Sequence, residues 1–403
     1  MTAPSDLLIR NVRPLGAQAV DILLRGGRIS ALGARLPATA GCAVEEGEGA
    51  LLLPGLVESH THLDKTLWGM DWYRNEVGPL LTDKIDNERA FRAASGHDAG
   101  AQSKALAMAF LALGTTRIRT HVDVDTQAGL RHLEGVLRTR EALRGLMDIQ
   151  IVAFPQSGLL GRPGTDALLD QALAAGADVL GGLDPCAIDH DPVRSLDVLF
   201  SIAQRHGKPV DIHLHEPGAM GAFSLGLILD RTEALGLQGQ VVISHGFCLG
   251  DVGPAERDAL LARMARLGVA LVTSAPPARM VPQLSACRAA GVVLGCGNDG
   301  IRDTWSPYGK PAMLERAMLI GLRYNLRRDD ELALALDCVT EAGARACGFA
   351  GYGLAPGCRA DLVLVDAQTV AHAVVERPVR RLVVSGGRVV ARQGSVLTGL
   401  VQA

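Results

Sequence analysis

The sequence predicts an α/β fold: a closed (β/α)8 barrel inserted into a small β-rich domain assembled from both ends of the chain. Three observations predict it. Short β-branched runs alternate eight times with Ala/Leu/Arg-rich segments of helical period. The two ends of the chain share a texture of short apolar runs and glycine-rich turns that the middle lacks. Metal-binding and proton-carrying side chains recur at the C-terminal ends of the β-branched runs, which is the face where such barrels carry their chemistry.

The elements follow in order. Residues 1–54, with the runs "LLIRNV", "DILLRGGRIS" and "GALLLP", supply the first part of the β-rich domain. Residues 55–350 supply the barrel, with the β-like runs "GLVESHTH", "TTRIRTHVDV", "DIQIVAFPQ", "VLGGLDP", "PVDIHLHE", "QVVISHGF", "VALVTSAPP" and "VVLGCGND". Between them lie helical segments such as "SLDVLFSIAQRHG" and "PAERDALLARMARLG", which end in glycine as helices often do. Near-continuous apolar strands alternating with helices indicate a parallel sheet covered by helices, and eight such units suit a closed barrel. Residues 351–403, with "ADLVLVDA" and "RLVVSGGRVVA", complete the β-rich domain.

Composition narrows the function. A chain of 403 residues, 48% hydrophobic, has ample core, and its net charge of −3 gives no electrostatic footprint for nucleic acid or an anionic membrane. The expected partner is a small neutral molecule. No secretory signal and no apolar run of membrane-spanning length is visible, so a cytoplasmic location is expected. Eight cysteines are scattered without a C-x-x-C pair, which points to small core residues rather than disulfides or a thiolate metal site.

The strand ends carry the chemistry. Residues i and i+2 of a strand share a face, so His60 and His62 aim two imidazoles into one space. His213 from the fifth run and Asp299 at the end of the eighth would complete a nitrogen and oxygen set suited to Zn²⁺ or Fe²⁺ with a position left for water. His215 and Glu216 follow His213, His245 ends the sixth run and Gln156 the third. A single histidine at a strand end is usually a hydrogen-bonded core residue, but the recurrence at one end of several strands argues for a site. His121 also ends a run and is expected to support the others. His97, His132, His190, His206 and His372 fall in helical or loop segments and are expected at the surface.

The segments "LPGLVESHTHLDKT", "RTHVDVD", "VAFPQSG", "GGLDP", "DIHLHE", "ISHGFCLG" and "GNDGIRDTW" resemble the amidohydrolase superfamily, in the branch of cytosine deaminase and N-isopropylammelide isopropylaminohydrolase. The resemblance runs over nearly the whole chain. It implies a distorted, TIM-like (β/α)8 barrel with a small β-sandwich domain, and hydrolysis of carbon–nitrogen bonds in cyclic amidines. It also implies one divalent ion per chain, Zn²⁺ or Fe²⁺, held by His60, His62, His213 and Asp299, and carries the expectation of a homo-oligomer. His245 would hydrogen-bond the water on that ion, with Asp299 and Glu216 moving protons. Gln156 would bind the carbonyl and N–H edge of the ring, and Phe154 and Trp305 would line its pocket. Strand alternation would turn His215 away into a structural role.

Two relatives are mixed in these motifs. Lys65 in "HLDKT" and the run "IRDTW" resemble the triazine enzyme, whereas Glu216 resembles cytosine deaminase. Where cytosine deaminase has a second acid after the metal aspartate, this chain has Gly300, which is expected to leave room beside the ring. Lys65 is expected to pair with Asp64 or another acid, or to touch ligand. No lysine lies between Lys104 and Lys208, so the carboxylated lysine that bridges two metals in many relatives is missing and a mononuclear centre is expected. The leading expectation is a deaminase of cytosine or a substituted cytosine. Alternatives are an N-alkyl aminotriazine aminohydrolase, a pterin deaminase, a cyclic amide hydrolase and a non-catalytic metabolite-binding barrel.

Overall fold

A computed structural model describes residues 6–38 and 40–400. The terminal domain begins with strands β1 (Leu7–Pro14), β2 (Val20–Arg25), β3 (Arg28–Gly33) and the twelve-residue β4 (Ala43–Pro54). The barrel follows with β5 (Leu56–Thr61), β6 (Thr115–Asp123), β7 (Asp148–Phe154), β8 (Val179–Leu183), β9 (Val210–Leu214), β10 (Val241–His245), β11 (Ala270–Thr273) and β12 (Leu294–Cys296). The chain then returns to the terminal domain through β13 (Leu362–Val365), β14 (Arg380–Ser385), β15 (Arg388–Arg392) and β16 (Ser395–Val396).

All eight expected barrel strands form, and they pair in parallel in sequence order from β5 to β12. Helices 192–206 and 254–267 end as anticipated, with Gly207 (φ 59°) and Gly268 (φ 64°) in the left-handed conformation that stops a helix without steric cost. A helix at Leu81–Ala94, inserted between β5 and the next barrel helix, was not anticipated, nor was a short helix at Val370–Glu376 in the terminal domain.

Strand β4 lies at the middle of the terminal sheet and borders both cores. Both termini join one continuous sheet in the order β16-β15-β14-β13-β4-β1-β2-β3. Period-2 alternation sends Leu51 and Leu53 into the barrel's core, while Leu52 joins Ile9, Ile22, Leu364 and Val384 in a separate apolar core. The sandwich is therefore a single hydrogen-bonded sheet with its own interior.

Barrel closure falls at the chemical end. Between β5 and β12 the link is one parallel bridge, Thr61 to Asp299, in which the Asp299 N–H donates to the His60 carbonyl (2.8 Å) and the Thr61 hydroxyl to the Asp299 carbonyl (3.0 Å). The first and last strands thus deliver His60, His62 and Asp299 to one point. Five cysteines (Cys248, Cys287, Cys296, Cys338, Cys347) are buried and three are half-buried; all are free. Among the described residues no helix is long and apolar enough to cross a membrane.

Candidate active site and metal centre

Six side chains converge at the mouth. His60, His62 and His213 lie close enough for one ion to be shared, as do His60, His245 and Asp299. The Asp299 carboxylate lies 3.3 Å from His62 Nε2 and 3.7 Å from His60 Nε2. His121, expected only as support, sits inside the cluster, its ring centroid 4.1 Å from His60 and 4.5 Å from His213.

These residues fit a divalent cation. His60 Nε2, His62 Nδ1 and both ring nitrogens of His121, His213 and His245 are buried without a hydrogen-bond partner among the described residues. Buried polar atoms are nearly always paired, so a cluster of orphaned nitrogens marks a place for an electrophile. Burial holds His62 down at about 4 and His121, His213 and His245 well below their usual range, the neutral form that ligates metals. Burial works against ionisation of Asp299, but the adjoining imidazoles of His60 and His62 outweigh it and hold the carboxyl well below its usual range.

Local backbone strain aims two of these groups. His245 (φ 70°) and Asp299 (φ 66°) adopt left-handed conformations that cost a non-glycine residue about 1–3 kcal/mol. Each follows or ends a strand and turns its side chain over the barrel mouth.

A second layer fixes orientation. Glu58 is buried at the position two before His60; it accepts the His60 N–H (3.0 Å) and the Asn298 side-chain amide (2.6 Å), and Arg316 donates to Asn298 Oδ1 (2.9 Å). Asp211, two before His213, accepts the Ser244 hydroxyl (2.6 Å) and Arg119 (2.8 Å), and Ser244 in turn meets His60 Nδ1 at 2.9 Å. Glu58, Arg119, Asp211, Ser244 and Arg316 were not singled out from the sequence, although Glu58 and Asp211 share strand faces with the histidines they serve.

Beside the imidazoles lies a buried charged cluster. Lys65 Nζ donates to Gln156 Oε1 (2.6 Å) and Asp123 (3.4 Å) and pairs with Glu88 (3.7 Å), so its acid partners are not Asp64. Asp64 instead accepts His132 Nδ1 (2.8 Å), which makes His132 a buried residue rather than a surface one. The helix at 81–94 supplies Glu88, Arg89 and Arg92; Arg92 reaches Asp123 at 3.2 Å and Asp125 at 3.4 Å. His62, Asp64 and Asp123 form a further potential ligand group, but Lys65, Arg92 and His132 already partner its carboxylates. Burial pushes the Asp123 carboxyl well up, although Lys65 opposes it.

The remaining expected residues divide. Phe154 stacks on His213 with centroids 4.0 Å apart, and Trp305 donates its indole N–H to Glu88 (2.6 Å) with Lys65 Nζ 5.2 Å from its ring. A lysine ammonium only donates, so the atom facing it on Gln156 is the oxygen and the amide N–H₂ is left for a ligand. Glu216 is buried, accepts the N–H groups of Cys186 (2.7 Å) and Ala187 (2.8 Å) and bonds the Ser224 hydroxyl; among the described residues no hydrogen bond joins it to an imidazole. Burial raises its pKa.

Two expectations are corrected. His215 does not turn away: β9 ends at Leu214, so alternation no longer governs it, and its ring packs 4.3 Å from His245 while Nδ1 bonds Asp184 (2.7 Å). Gly300 does not open space beside the site. A Cβ there would lie 1.9 Å from Asp303 Oδ2, so the volume is already filled by a carboxylate.

A parallel eight-stranded barrel that converges imidazoles and one carboxylate at the C-terminal strand ends is the architecture of metal-site hydrolases. The chain belongs to the amidohydrolase family, whose model matches residues 44–391, and is an amidohydrolase-type hydrolase acting on carbon–nitrogen bonds. N-isopropylammelide isopropyl amidohydrolase of Pseudomonas sp. (strain ADP) is 31% identical over 97% of this chain and 98% of its own. The crystal structure of N-isopropylammelide isopropylaminohydrolase from Burkholderia multivorans is 68% identical, with a TM-score of 0.96 over 98% of this chain and 100% of that one. The 5-methylcytosine deaminase of Klebsiella pneumoniae, solved with 5-fluorocytosine, is 27% identical with a TM-score of 0.84 over 96% and 97%.

Proposed function

We propose that this chain is an aminohydrolase that removes the alkylamine from an N-alkylated aminotriazine carrying ring carbonyls, as the names of its Pseudomonas and Burkholderia relatives state for those proteins. This reading replaces cytosine as the leading substrate. The observation that carries it is the pairing of Lys65 with Gln156: an ammonium and a carboxamide N–H₂ present hydrogen-bond donors to one side of the site. A dioxo-triazine offers two carbonyl acceptors to such donors, whereas cytosine offers one. Likeness at 68% identity over nearly the full length supports the same assignment.

The roles follow from position. His60, His62, His213 and Asp299 would hold one divalent ion, Zn²⁺ or Fe²⁺, with His245 beside it. That ion would supply Lewis acidity, which makes water acidic enough to yield a nucleophile near neutral pH. Asp299 takes a proton from the attacking water. Glu216, its pKa raised by burial, carries a proton toward the ring nitrogen and the departing amine. The water oxygen bonds the ring carbon, the exocyclic carbon–nitrogen bond breaks, and the amine leaves with the proton. Phe154 and Trp305 flank the ring, and Gln156 and Lys65 bind its carbonyl edge.

The test is a panel of N-alkyl ammelides, cytosine, 5-methylcytosine, a pterin and a cyclic amide, with release of alkylamine or ammonia measured on protein of known metal content. The expected result is kcat/KM highest for an N-alkyl ammelide. Preference for 5-methylcytosine would favour the Klebsiella-like reading, and turnover of the cyclic amide alone would overturn both.

A further inference from the structure

Gly300 directly follows Asp299, and its backbone lies outside the left-handed region, so conformation does not demand glycine there. Asp303 does. A side chain at position 300 would begin 1.9 Å from Asp303 Oδ2 and 2.9 Å from its carboxyl carbon. That carboxylate is not free to swing aside: Oδ1 accepts the N–H groups of Trp305 and Ser306, each at 2.8 Å, and the Asp303 N–H donates to the Ser306 carbonyl (3.0 Å). A tight turn over residues 303–306 therefore clamps one oxygen and presents the other at the place a residue-300 side chain would occupy. Asp303 is 3% exposed, and Oδ2 has no hydrogen-bond partner among the described residues. Its loop neighbour Trp305 borders the Lys65 and Glu88 cluster.

We propose that Asp303 supplies the acidic group flanking Asp299, and that its Oδ2 accepts a hydrogen bond from an N–H of the bound heterocycle. The ligand's identity rests on the function proposed above; the steric part does not. Lys65 and Gln156 are donors and Asp303 Oδ2 is an acceptor, so together they read a ring edge in which carbonyl oxygens alternate with N–H groups. A ring nitrogen bearing a lone pair or a methyl group at that point meets the carboxylate with nothing to donate. A site built to bond an N–H discriminates strongly against analogues that lack it. Asp303 is thus a binding residue that sets specificity.

The test uses the full-length metal-loaded enzyme, with thermal stability and metal content measured before any assay. Gly300→Asp alone should lower the Tm and turnover through collision with Asp303, and adding Asp303→Ser should recover the Tm, because serine keeps a turn-capping oxygen and vacates the space. The double variant also regains an acid at the same place, so its turnover should exceed that of either single variant. A Gly300→Asp protein as stable as the parent would overturn the steric part. Asp303→Asn keeps the Oδ1 bonds but places a donor where Oδ2 was; it should raise KM for the N-alkyl ammelide at least about 10-fold with metal content unchanged. It should also narrow the preference for that substrate over its analogue methylated at the ring nitrogen, a readout that a purely structural role would not move. An active Asp303→Asn enzyme with unaltered KM and unaltered preference would overturn this inference alone. Failure of the parent enzyme on every ring would instead overturn the proposed function.

Discussion

Ser244→Ala should weaken metal binding without touching a ligand atom. The Ser244 hydroxyl has one proton, and Asp211 can only accept, so the 2.6 Å contact fixes that proton on Asp211 Oδ1. Ser244 Oγ must then accept from His60 Nδ1 at 2.9 Å, which puts the imidazole proton on Nδ1 and leaves the Nε2 lone pair aimed at the cluster. Arg119 pins the other Asp211 oxygen at 2.8 Å, so the relay cannot rotate away. Alanine leaves a buried N–H without an acceptor and a buried carboxylate oxygen without a donor, each worth about 1–3 kcal/mol. It also removes the bias toward the ligating tautomer, for which outer-layer losses of about 10–100-fold in metal affinity are typical. That factor is about 1.4–2.7 kcal/mol of binding free energy. The assay is a competitive chelator titration of the metal on parent, Ser244→Ala and Ser244→Thr, with Thr keeping the hydroxyl and expected to bind within a few-fold of the parent. Equal affinity in Ser244→Ala and the parent, with His60→Ala losing the metal, would refute the tautomer argument.

Three further outcomes are expected. Glu216→Gln should lower kcat at least about 10²-fold at constant metal content, since glutamine can keep the bonds to Cys186 and Ala187 but cannot carry a proton; near-normal turnover would reduce the residue to a brace for that loop. Chelation should abolish turnover and lower the Tm, the ion contributing about 2.7 kcal/mol at a free concentration 100 times its Kd; two tightly bound equivalents, both needed for activity, would refute the mononuclear centre. Lys65→Met should destabilise the fold by about 3–5 kcal/mol, because Glu88 and Asp123 lose a buried cation; a change below about 1 kcal/mol in denaturant unfolding would show that Arg92 alone neutralises the cluster.

The barrel was legible because its strands are buried on both faces and therefore read as apolar runs, and the convergence of His60, His62, His213 and Asp299 was legible because H-x-H and the strand-end histidines repeat. Misreadings arose where local pattern stops governing. Alternation was extended to His215 past the last strand residue, Leu214. His132 was placed outside from its helical context, but its partner Asp64 is 68 residues away in sequence. Glu88 belongs to a helix whose sequence gives no sign that it faces Lys65 and Trp305. Gly300 misled for another reason: a missing side chain says nothing about which neighbour takes its volume.

One layer could have been found by the rule already used for His60 and His62. Residues two apart share a strand face, so Glu58, His60 and His62 on β5 and after it, Arg119, His121 and Asp123 on β6, and Asp211 and His213 on β9 are each one stripe. Stacked around the barrel, the stripes put charged residues Glu58, Arg119 and Asp211 one step beneath the imidazoles, where barrels ordinarily pack branched aliphatic side chains. A charged layer at that depth costs desolvation, and pairing Arg119 with Asp211 and Glu58 with Asn298 offsets it. The same pairing holds each acceptor in place: Asp211 fixes Ser244 and through it His60, while Glu58 holds the His60 N–H and the Asn298 amide next to Asp299. Neutral imidazoles have two tautomers and a free χ2, so a centre built from them requires an orienting layer, and the polar stripes beneath the mouth are the physical form that requirement takes.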